Sequence, residues 1–445
     1  MFFPAIPGRV DRARRGRWPA RARRAALACL SGAVVFAAGH AAAQDPAQDR
    51  RPLGLEAAMD LAEARSMALP ARQAAAQAAR ERAVAAGQRP DPVLRLGMDN
   101  VPVEGGSENR FTREPMTAVS IGIVQALPDA AKREARARRF GHDASLALAR
   151  GEAVRAELRR DTALAWWAVQ AEVQRLALLD AQRTEAELLR QSAEAAYRAG
   201  RGTQADVFAA RAAPARLDDL RLQARARLDN ARSSLHRWIG DAANRPLDAA
   251  PSLADHALGN DPAPAVLAGD PELRAATARE ASARAMADVA REERRTDWSM
   301  DLRFSRRGPQ FDNMVTVGLS VPLRWDPANR QDRELAARQA ETAQAEAETE
   351  ELRRLRVAEV ERWHQRWRSG LARLAGVDET WLPLAAARVQ AALAAYRAGS
   401  GALNAVLEAR QAELALRLER VQIEFETASD WARLNTLIPQ SETAP

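Results

Sequence analysis

The chain is 445 residues long, with 66 Lys and Arg against 59 Asp and Glu, two Tyr and one Cys. Residues 1–43 hold eight Arg and one acid, Asp11, and so carry the whole formal charge of +7; without them 58 basic side chains face 58 acidic ones. That balance excludes nucleic acid as a partner, and a chain whose one thiol is Cys29 has no disulfide or thiolate metal site downstream of it.

Residues 1–43 predict a secretory signal peptide. A basic stretch, Arg9 to Arg24, precedes a short apolar run, Ala25 to Ala38, and Ala41, Ala42 and Ala43 put small residues ahead of Gln44. The apolar run is shorter than the ~20 residues of a membrane anchor. A lipidated Cys29 would leave too few apolar residues before it. Beyond Ala43 no run of about 18 apolar residues occurs, so a membrane contact would have to be made by strands.

Residues 54–88 read as helix. "RPDPVLRLGMDNVP" (89–102) ends it with two prolines and turns to strand. From Asp129 to Ala199 there is no proline and one glycine, Gly151, among strong helix formers. Gly200 and Gly202 interrupt that run. A second helical stretch spans 204–239, with Pro214 inside it as a kink or first-turn residue. Residues 241–270 are rich in Pro, Asp, Gly and Ala and read as an extended linker. Helix resumes over 271–295, strand-like sequence fills 297–323, and helix returns over 330–397 with Pro383 inside. Gly399 and Gly401 break it before a last helix, 402–437.

This order occurs twice. "AAYRAG" stands at 195–200 and at 394–399, and both tyrosines of the chain, Tyr197 and Tyr396, sit at its third position. At the same offset Gly202, Val207, Ala210, Arg211, Leu217, Leu235 and Ile239 match Gly401, Val406, Ala409, Arg410, Leu416, Leu434 and Ile438. The pattern reads as an internal duplication. The domain boundaries that follow are a signal peptide (1–43), a first repeat (44–240), a linker (241–270) and a second repeat (271–445). Leu414, Leu418, Val421, Phe425 and Ala428 step by a coiled-coil seam. Each repeat is then a helix, a β-hairpin and a long helical hairpin whose tip is turned by glycine.

The strands alternate. Trp298, Met300, Leu302 and Phe304 alternate with Ser299, Asp301, Arg303 and Ser305; Val315, Val317 and Leu319 alternate with Thr316, Gly318 and Ser320. Leu94, Leu96 and Met98 alternate with Arg95, Gly97 and Asp99, and Val119, Ile121 and Ile123 with Ser120 and Gly122. Alternation suits a half-buried soluble sheet or a strand between lipid and water. Export favours the second. It makes Trp298, Leu302, Phe304, Val317 and Leu319 lipid-facing and Arg95, Asp99, Asp301 and Arg303 lumen-facing. Four strands cannot close a barrel, and an open edge is untenable in lipid. Copies of the chain must pool their strands: two give eight, three give twelve.

"YRAGRGTQADV" (197–207), its copy "YRAGSGALNAV" (396–406), and the passages "PDPVLRLGMDNVP" (90–102), "MTAVSIGIVQALPDAAKREAR" (116–136) and "NMVTVGLSVPLRWDPANRQDREL" (313–335) resemble the TolC-type outer-membrane efflux proteins. Among these they are similar to the members paired with heavy-metal RND pumps. The resemblance covers about 50–440. It implies a mostly α fold with a small β part: a homotrimer whose long coiled-coil hairpins form an α-barrel under a shared 12-stranded transmembrane β-barrel. It implies an exit duct of a tripartite system, in the bacterial outer membrane and extending into the periplasm. The implied partners are a periplasmic adaptor (membrane fusion protein), an inner-membrane RND pump and outer-membrane lipid.

The resemblance also implies site roles. Tyr396 matches a tyrosine whose hydroxyl latches the closed tip to an aspartate of the first hairpin, here Asp206. Tyr197 is its repeat partner. A second-latch arginine of some members is Gly401 here. An acidic residue of the inner constriction is Ala405, with Glu408 one turn on. Gly200, Gly202, Gly399, Gly401, Val207 and Val406 are the candidate adaptor-docking tips.

No HExxH, GxSxG, phosphate loop or GxGxxG occurs, and the histidines lack ligand spacing. The reading is a duct with no cofactor, no metal site and no enzymatic activity. Met98, Met116, Met300 and Met314 lie in or beside strands, as packing residues or as a soft-metal relay. The cargo expected is heavy-metal cations; the alternatives are a multidrug or type I secretion channel and, in another class, a periplasmic coiled-coil scaffold or adaptor.

Overall fold

A computed structural model describes residues 51–105, 114–254, 256, 258 and 261–437. The expected signal peptide, Cys29 and Ile438 lie outside the described residues.

The helical stretches follow the sequence closely where glycine and proline punctuate it. The expected helix over 54–88 is two, α1 (Leu55–Arg65) and α2 (Ala68–Gly87). Ser66 is extended between them, and Pro70 falls in the first turn of α2, where its missing N–H costs nothing. Next come β1 (Val93–Asp99), β2 (Ala118–Leu127), α3 (Ala130–Arg198) and α4 (Gln204–Ile239). Helix α3 runs 69 residues, about 100 Å at 1.5 Å per residue. Asp129 caps it, its side chain accepting the Ala131 N–H at 2.8 Å. Pro214 is buried inside α4.

The stretch 241–270 is not all extended. A 3₁₀ turn (Gly240–Asn244) follows α4, Leu247 pairs with Leu53 in a parallel bridge, and Pro262–Gly269 forms a helix, α5. Proline is preorganised for a first helical turn, and Val266, fully buried, anchors that helix to the core. Then follow α6 (Pro271–Glu292), β3 (Trp298–Arg307), β4 (Met314–Ser320) and α7 (Gln331–Gly376). A π turn over Val377–Trp381 leads into α8 (Leu382–Arg397). Its cause is Pro383, which cannot donate to the Glu379 carbonyl; Leu382 N–H instead reaches back to Val377. The last helix is α9 (Leu403–Asn435).

The four strands form one antiparallel sheet in the order β1-β2-β3-β4. The β2–β3 pairing joins the hairpin of the first half to that of the second, with Gly122 opposite Arg303 and Ile123 opposite Leu302. Edges β1 and β4 are seven residues each; the inner strands are ten.

The main core lies among α1, α3, α4, α5, α7 and α9. Trp166 and Trp167 are both buried, meet edge to face at 5.3 Å, and Trp167 meets Trp431 at 6.4 Å. Trp166 Nε1 donates to the Leu53 carbonyl at 3.0 Å and Trp367 Nε1 to Leu253 at 2.9 Å, so two loops are tied to the helices by indole hydrogen bonds. Smaller clusters continue down the hairpins: Leu179, Ala224 and Leu414, then Ala193, Ala210 and Leu403.

Candidate functional site

The two hairpin tips are built by the repeated hexapeptide. Gly200 and Gly399 have φ of 71° and 75°, which L side chains rarely adopt. Arg201 N–H bonds to the Ala196 carbonyl and Gly200 N–H to Tyr197; in the second copy Ser400 N–H bonds to Ala395 and Gly399 N–H to Tyr396. This is one Schellman turn made twice. The tyrosines therefore occupy equivalent positions in the last turn of α3 and of α8.

The next glycines serve another purpose. A Cβ on Gly401 would lie 2.8 Å from Ala395 Cβ and 3.1 Å from Tyr396 N; one on Gly202 would lie 3.3 Å from Tyr197 N. The chain doubles back so closely that a side chain at 401 would force the turn to shift.

The tips differ in their exit. Thr203 and Asp206 form a capping box on α4: Asp206 N–H donates to Thr203 Oγ1 at 3.1 Å, and Thr203 N–H to Asp206 Oδ2 at 3.0 Å. Thr203 Oγ1 also donates to Asp206 Oδ2 at 2.6 Å. In α9 the equivalent residues are Ala402 and Ala405, and Ala402 makes no side-chain cap. The latch expectation pairs Tyr396 with Asp206. In this chain the Asp206 carboxylate bonds to Thr203, as a capping-box carboxylate aimed at its own helix terminus. Tyr396 instead packs half-buried against the Ala193, Ala210 and Leu403 cluster, while Tyr197 is 47% exposed. The Thr-x-x-Asp spacing at 203–206 was the sequence signal for this arrangement.

Val207 and Val406 are among the expected docking tips. They are 7% and 0% exposed, since each begins a helix seam that packs into the hairpin. In this conformation they pack inside the hairpins. Gly200 and Gly399 are exposed; Gly202 and Gly401 are half-buried. Above the tips a groove of about 440 Å³ separates the hairpins, lined by Leu189, Leu217, Leu393, Tyr396, Leu407 and Leu418, with Arg216, Arg397, Arg410 and Glu185 among them. Arg410 bonds to Glu185 at 2.8 Å, joining α9 to α3. Glu408 is exposed at a smaller cleft with Asn404, Gln411 and Arg216.

At the other end the sheet has two unlike faces. Trp298, Met300, Leu302 and Phe304 on β3 are 43–49% exposed, and Val315, Val317 and Leu319 on β4 are 59–68%. The register puts Leu94, Leu96 and Met98, and Val119, Ile121 and Ile123, on this same outward face. Water-exposed, such a continuous apolar surface is far larger than a soluble monomer tolerates. The opposite face carries Arg95, Asp99, Asp301 and Arg303, with Gly97, Gly122 and Gly318 between them. Arg303 lies 3.8 Å from Asp99 and 3.7 Å from Asp301. Gly122 admits the neighbouring strand closely: a Cβ there would come within 3.1 Å of the Leu302 carbonyl. Of the strand methionines, Met98 and Met300 share the outward face, and Met314 the opposite one.

Between sheet and hairpins lies a charge cluster that sequence reading missed. Lys132 is 1% exposed and bonds to Asp297 at 2.9 Å, with Glu293 at 3.7 Å; Arg136 also bonds to Glu293. It ties the start of α3 to the turn before β3. Lower down, Arg356 bonds to the fully buried Asp270 at 2.7 Å, and Asp270 also caps α6. Among the described residues no three His, Cys, Asp or Glu side chains are grouped to hold a metal, and no helix is long and apolar enough to cross a membrane.

Residues 263–439 match the model of the outer membrane efflux protein family. No curated protein matches the sequence. Three solved structures share the fold. The outer-membrane channel OprN is 19% identical with a TM-score of 0.72, covering 86% of this chain and 89% of its own. The outer membrane protein VceC from Vibrio cholerae is 16% identical at 0.72, covering 86% and 95%. CusC, described for transmembrane channel formation, is 15% identical at 0.73, covering 86% and 91%. Residues 263–439 thus resemble the outer membrane efflux protein family, and the chain shares the fold of these outer-membrane channels along 86% of its length.

Proposed function

We propose that three copies of this chain form the outer-membrane exit duct of a tripartite RND efflux system. The observation that carries it is the sheet: one wholly exposed apolar face and two unpaired edges of equal length. In lipid those edges must pair, and β4 of one copy against β1 of the next continues the antiparallel order. Three copies give twelve strands, with Arg95, Asp99, Asp301 and Arg303 lining the lumen. The hairpins then extend into the periplasm, where the exposed tips around Gly200 and Gly399 receive an adaptor that links the duct to an inner-membrane pump. A duct needs no catalytic residue or cofactor.

The test of assembly is a scan of cysteine pairs joining positions 95, 97 and 99 to 314, 316 and 318. Oxidation should give covalent species that close at three chains. Closure at two chains, or no cross-link at any pair, overturns the trimer.

The cargo we propose is heavy-metal cations. Its support is the likeness of the strand-to-helix passages, 90–102, 116–136 and 313–335, to members paired with metal pumps. Deleting the gene should lower tolerance to zinc, cadmium, cobalt, copper or silver selectively, and the wild-type gene should restore it. Loss confined to dyes and antibiotics would leave the duct and reject the metal.

A further inference from the structure

The outward apolar face does not stop where β4 stops. Beyond Ser320 the chain reads Val321, Pro322, Leu323, Arg324, Trp325, and its odd positions continue the series Val315, Val317, Leu319. Leu323 is 70% exposed and Trp325 is 89% exposed, the highest value of any large apolar side chain among the described residues. Pro322 keeps Val321 out of the helical region and so favours an extended run. Arg324, on the even series, is half-buried and donates to the Arg295 carbonyl in the turn before β3. The segment is thus fastened by its inner side and offers Leu323 and Trp325 outward.

Height discriminates between two positions for the periplasmic edge of the membrane. Trp298 opens β3 and stands one row below the Ser299–Ser320 pair. If Trp298 marked the edge, the outward band on β3 would end at Phe304, because Arg306 is the next outward residue. That is about 15 Å of height at ~3.3 Å per residue and ~40° of tilt, well short of the ~25 Å apolar band of an outer-membrane barrel. From Val315 to Trp325 the same arithmetic gives about 25 Å. The neighbouring strand agrees: on the outward series below Leu94 stand Pro92 and Pro90, and neither carries charge. Gln125 is the sole outward polar side chain in this lower part of the sheet, and its Nε2 donates to the Pro90 carbonyl at 2.8 Å.

We infer that Val321–Trp325 forms a lipid-facing collar below the sheet, and that Trp325, not Trp298, sits at the headgroup level of the inner leaflet. An indole suits that level, with an apolar body toward the acyl chains and an N–H toward water. Trp298 and Leu127 then lie within the hydrocarbon. The inference rests on the outer-membrane duct reading and refines it.

Cys29 is the only cysteine, so with Cys29→Ser in place each introduced cysteine is the sole thiol. An environment-sensitive fluorophore is placed at Trp325→Cys, Leu319→Cys and Asn329→Cys in the full protein, reconstituted in phosphatidylethanolamine–phosphatidylglycerol bilayers. Quenchers are bromolipids brominated at shallow or deep positions, and aqueous iodide. The Leu319→Cys label should be quenched by deep bromines. The Trp325→Cys label should be quenched by shallow bromines, emit to the blue of the Asn329→Cys label, and resist iodide. A Trp325→Cys label that behaves like the aqueous Asn329→Cys one returns the edge to Trp298 and overturns the collar. A label shielded from both iodide and bromines means that protein covers the site, and also overturns it. Should Leu319→Cys itself meet no lipid, the duct reading fails, which is a separate result. Leu323→Cys repeats the measurement if Trp325→Cys does not assemble.

Discussion

Helices α7 and α9 cross at Gly370, and replacing it with alanine measures how closely they pack. A Cβ there would stand 2.1 Å from Thr427 Oγ1, 3.0 Å from Thr427 Cβ and 3.1 Å from its Cγ2. Rotation about χ1 moves the branches but leaves the 3.0 Å approach of Thr427 Cβ, and it breaks the hydroxyl's bond to Ile423. Thr427 is 2% exposed, and its hydroxyl already donates to the Ile423 carbonyl at 2.7 Å. The helices must move apart by about 1 Å, an overpacking strain of roughly 1–3 kcal/mol. Helix propensity works the other way, since alanine gains about 1 kcal/mol over glycine in a helix interior. The crossing should win, and Gly370→Ala should lose about 1 kcal/mol net. Thr427→Ala removes the branch and leaves a Cβ–Cβ approach of 3.0 Å, within about half an ångström of ordinary contact. The double variant should therefore be more stable than the sum of the single losses, by about 1 kcal/mol. Denaturant unfolding of the purified protein in detergent, followed by helical circular dichroism, reads all four corners of the cycle. A Gly370→Ala protein more stable than wild type, or single effects that simply add, would refute the crossing.

A charge on the outward face should block insertion: Val317→Asp should abolish stable assembly in membranes, while Thr316→Asp, one residue away on the other face, should assemble, as read by the heat-modified mobility of membrane fractions. Tyr396→Phe and Asp206→Asn should show no coupling in a double-mutant cycle on channel conductance, because Asp206 is bonded to Thr203; a coupling of about 1 kcal/mol or more would establish the latch. His364 is buried with no hydrogen bond to Nε2, and burial, with Arg368 adding and Asp261 opposing, pushes its imidazole below the usual value. The folded state then keeps it neutral while the unfolded chain takes up a proton below pH ~6.5, so stability falls as pH drops through that range. His364→Gln should flatten that slope in unfolding curves measured between pH 5 and 8 (roughly the range in which histidine titrates).

Sequence made the architecture legible because its breaks are chemical. Glycine at 200 and 399 and helix formers on either side leave few alternatives, and α4 runs over the span read from sequence, 204–239. Strand faces were equally plain, since alternation with period two names the outward residues directly. What escaped was whatever depends on a partner distant in sequence. Lys132 looks like one more basic residue in "KREAR"; only the β2–β3 pairing brings Asp297 and Glu293 to it. Pro383 stood in plain view inside the helix, but the Asp378–Arg420 pair at 2.6 and 3.0 Å that clamps the π turn to α9 did not. The Asp206 environment has a local reason: Thr203 stands close enough to bond its carboxylate.

That local reason predicts a difference between the two tips. Both end in the same Schellman turn, and both then restart a helix after a glycine. The first restart has a reciprocal capping box; the second has alanine at both positions. Replacing a good cap by alanine costs typically about 1 kcal/mol, or a factor of about five in a local opening equilibrium. The start of α9 should therefore open more often than the start of α4, although their tips are otherwise alike. Amide hydrogen exchange resolves this directly: residues 403–407 should lose protection faster than residues 204–208 by about that factor. Ala402→Ser with Ala405→Glu, which writes a capping box into the second tip, should slow 403–407 to match. If the two segments already exchange equally, the caps do not govern the tips, and a contact made outside this chain must equalise them. If the engineered box slows exchange and also lowers efflux, opening of the α9 terminus is part of transport.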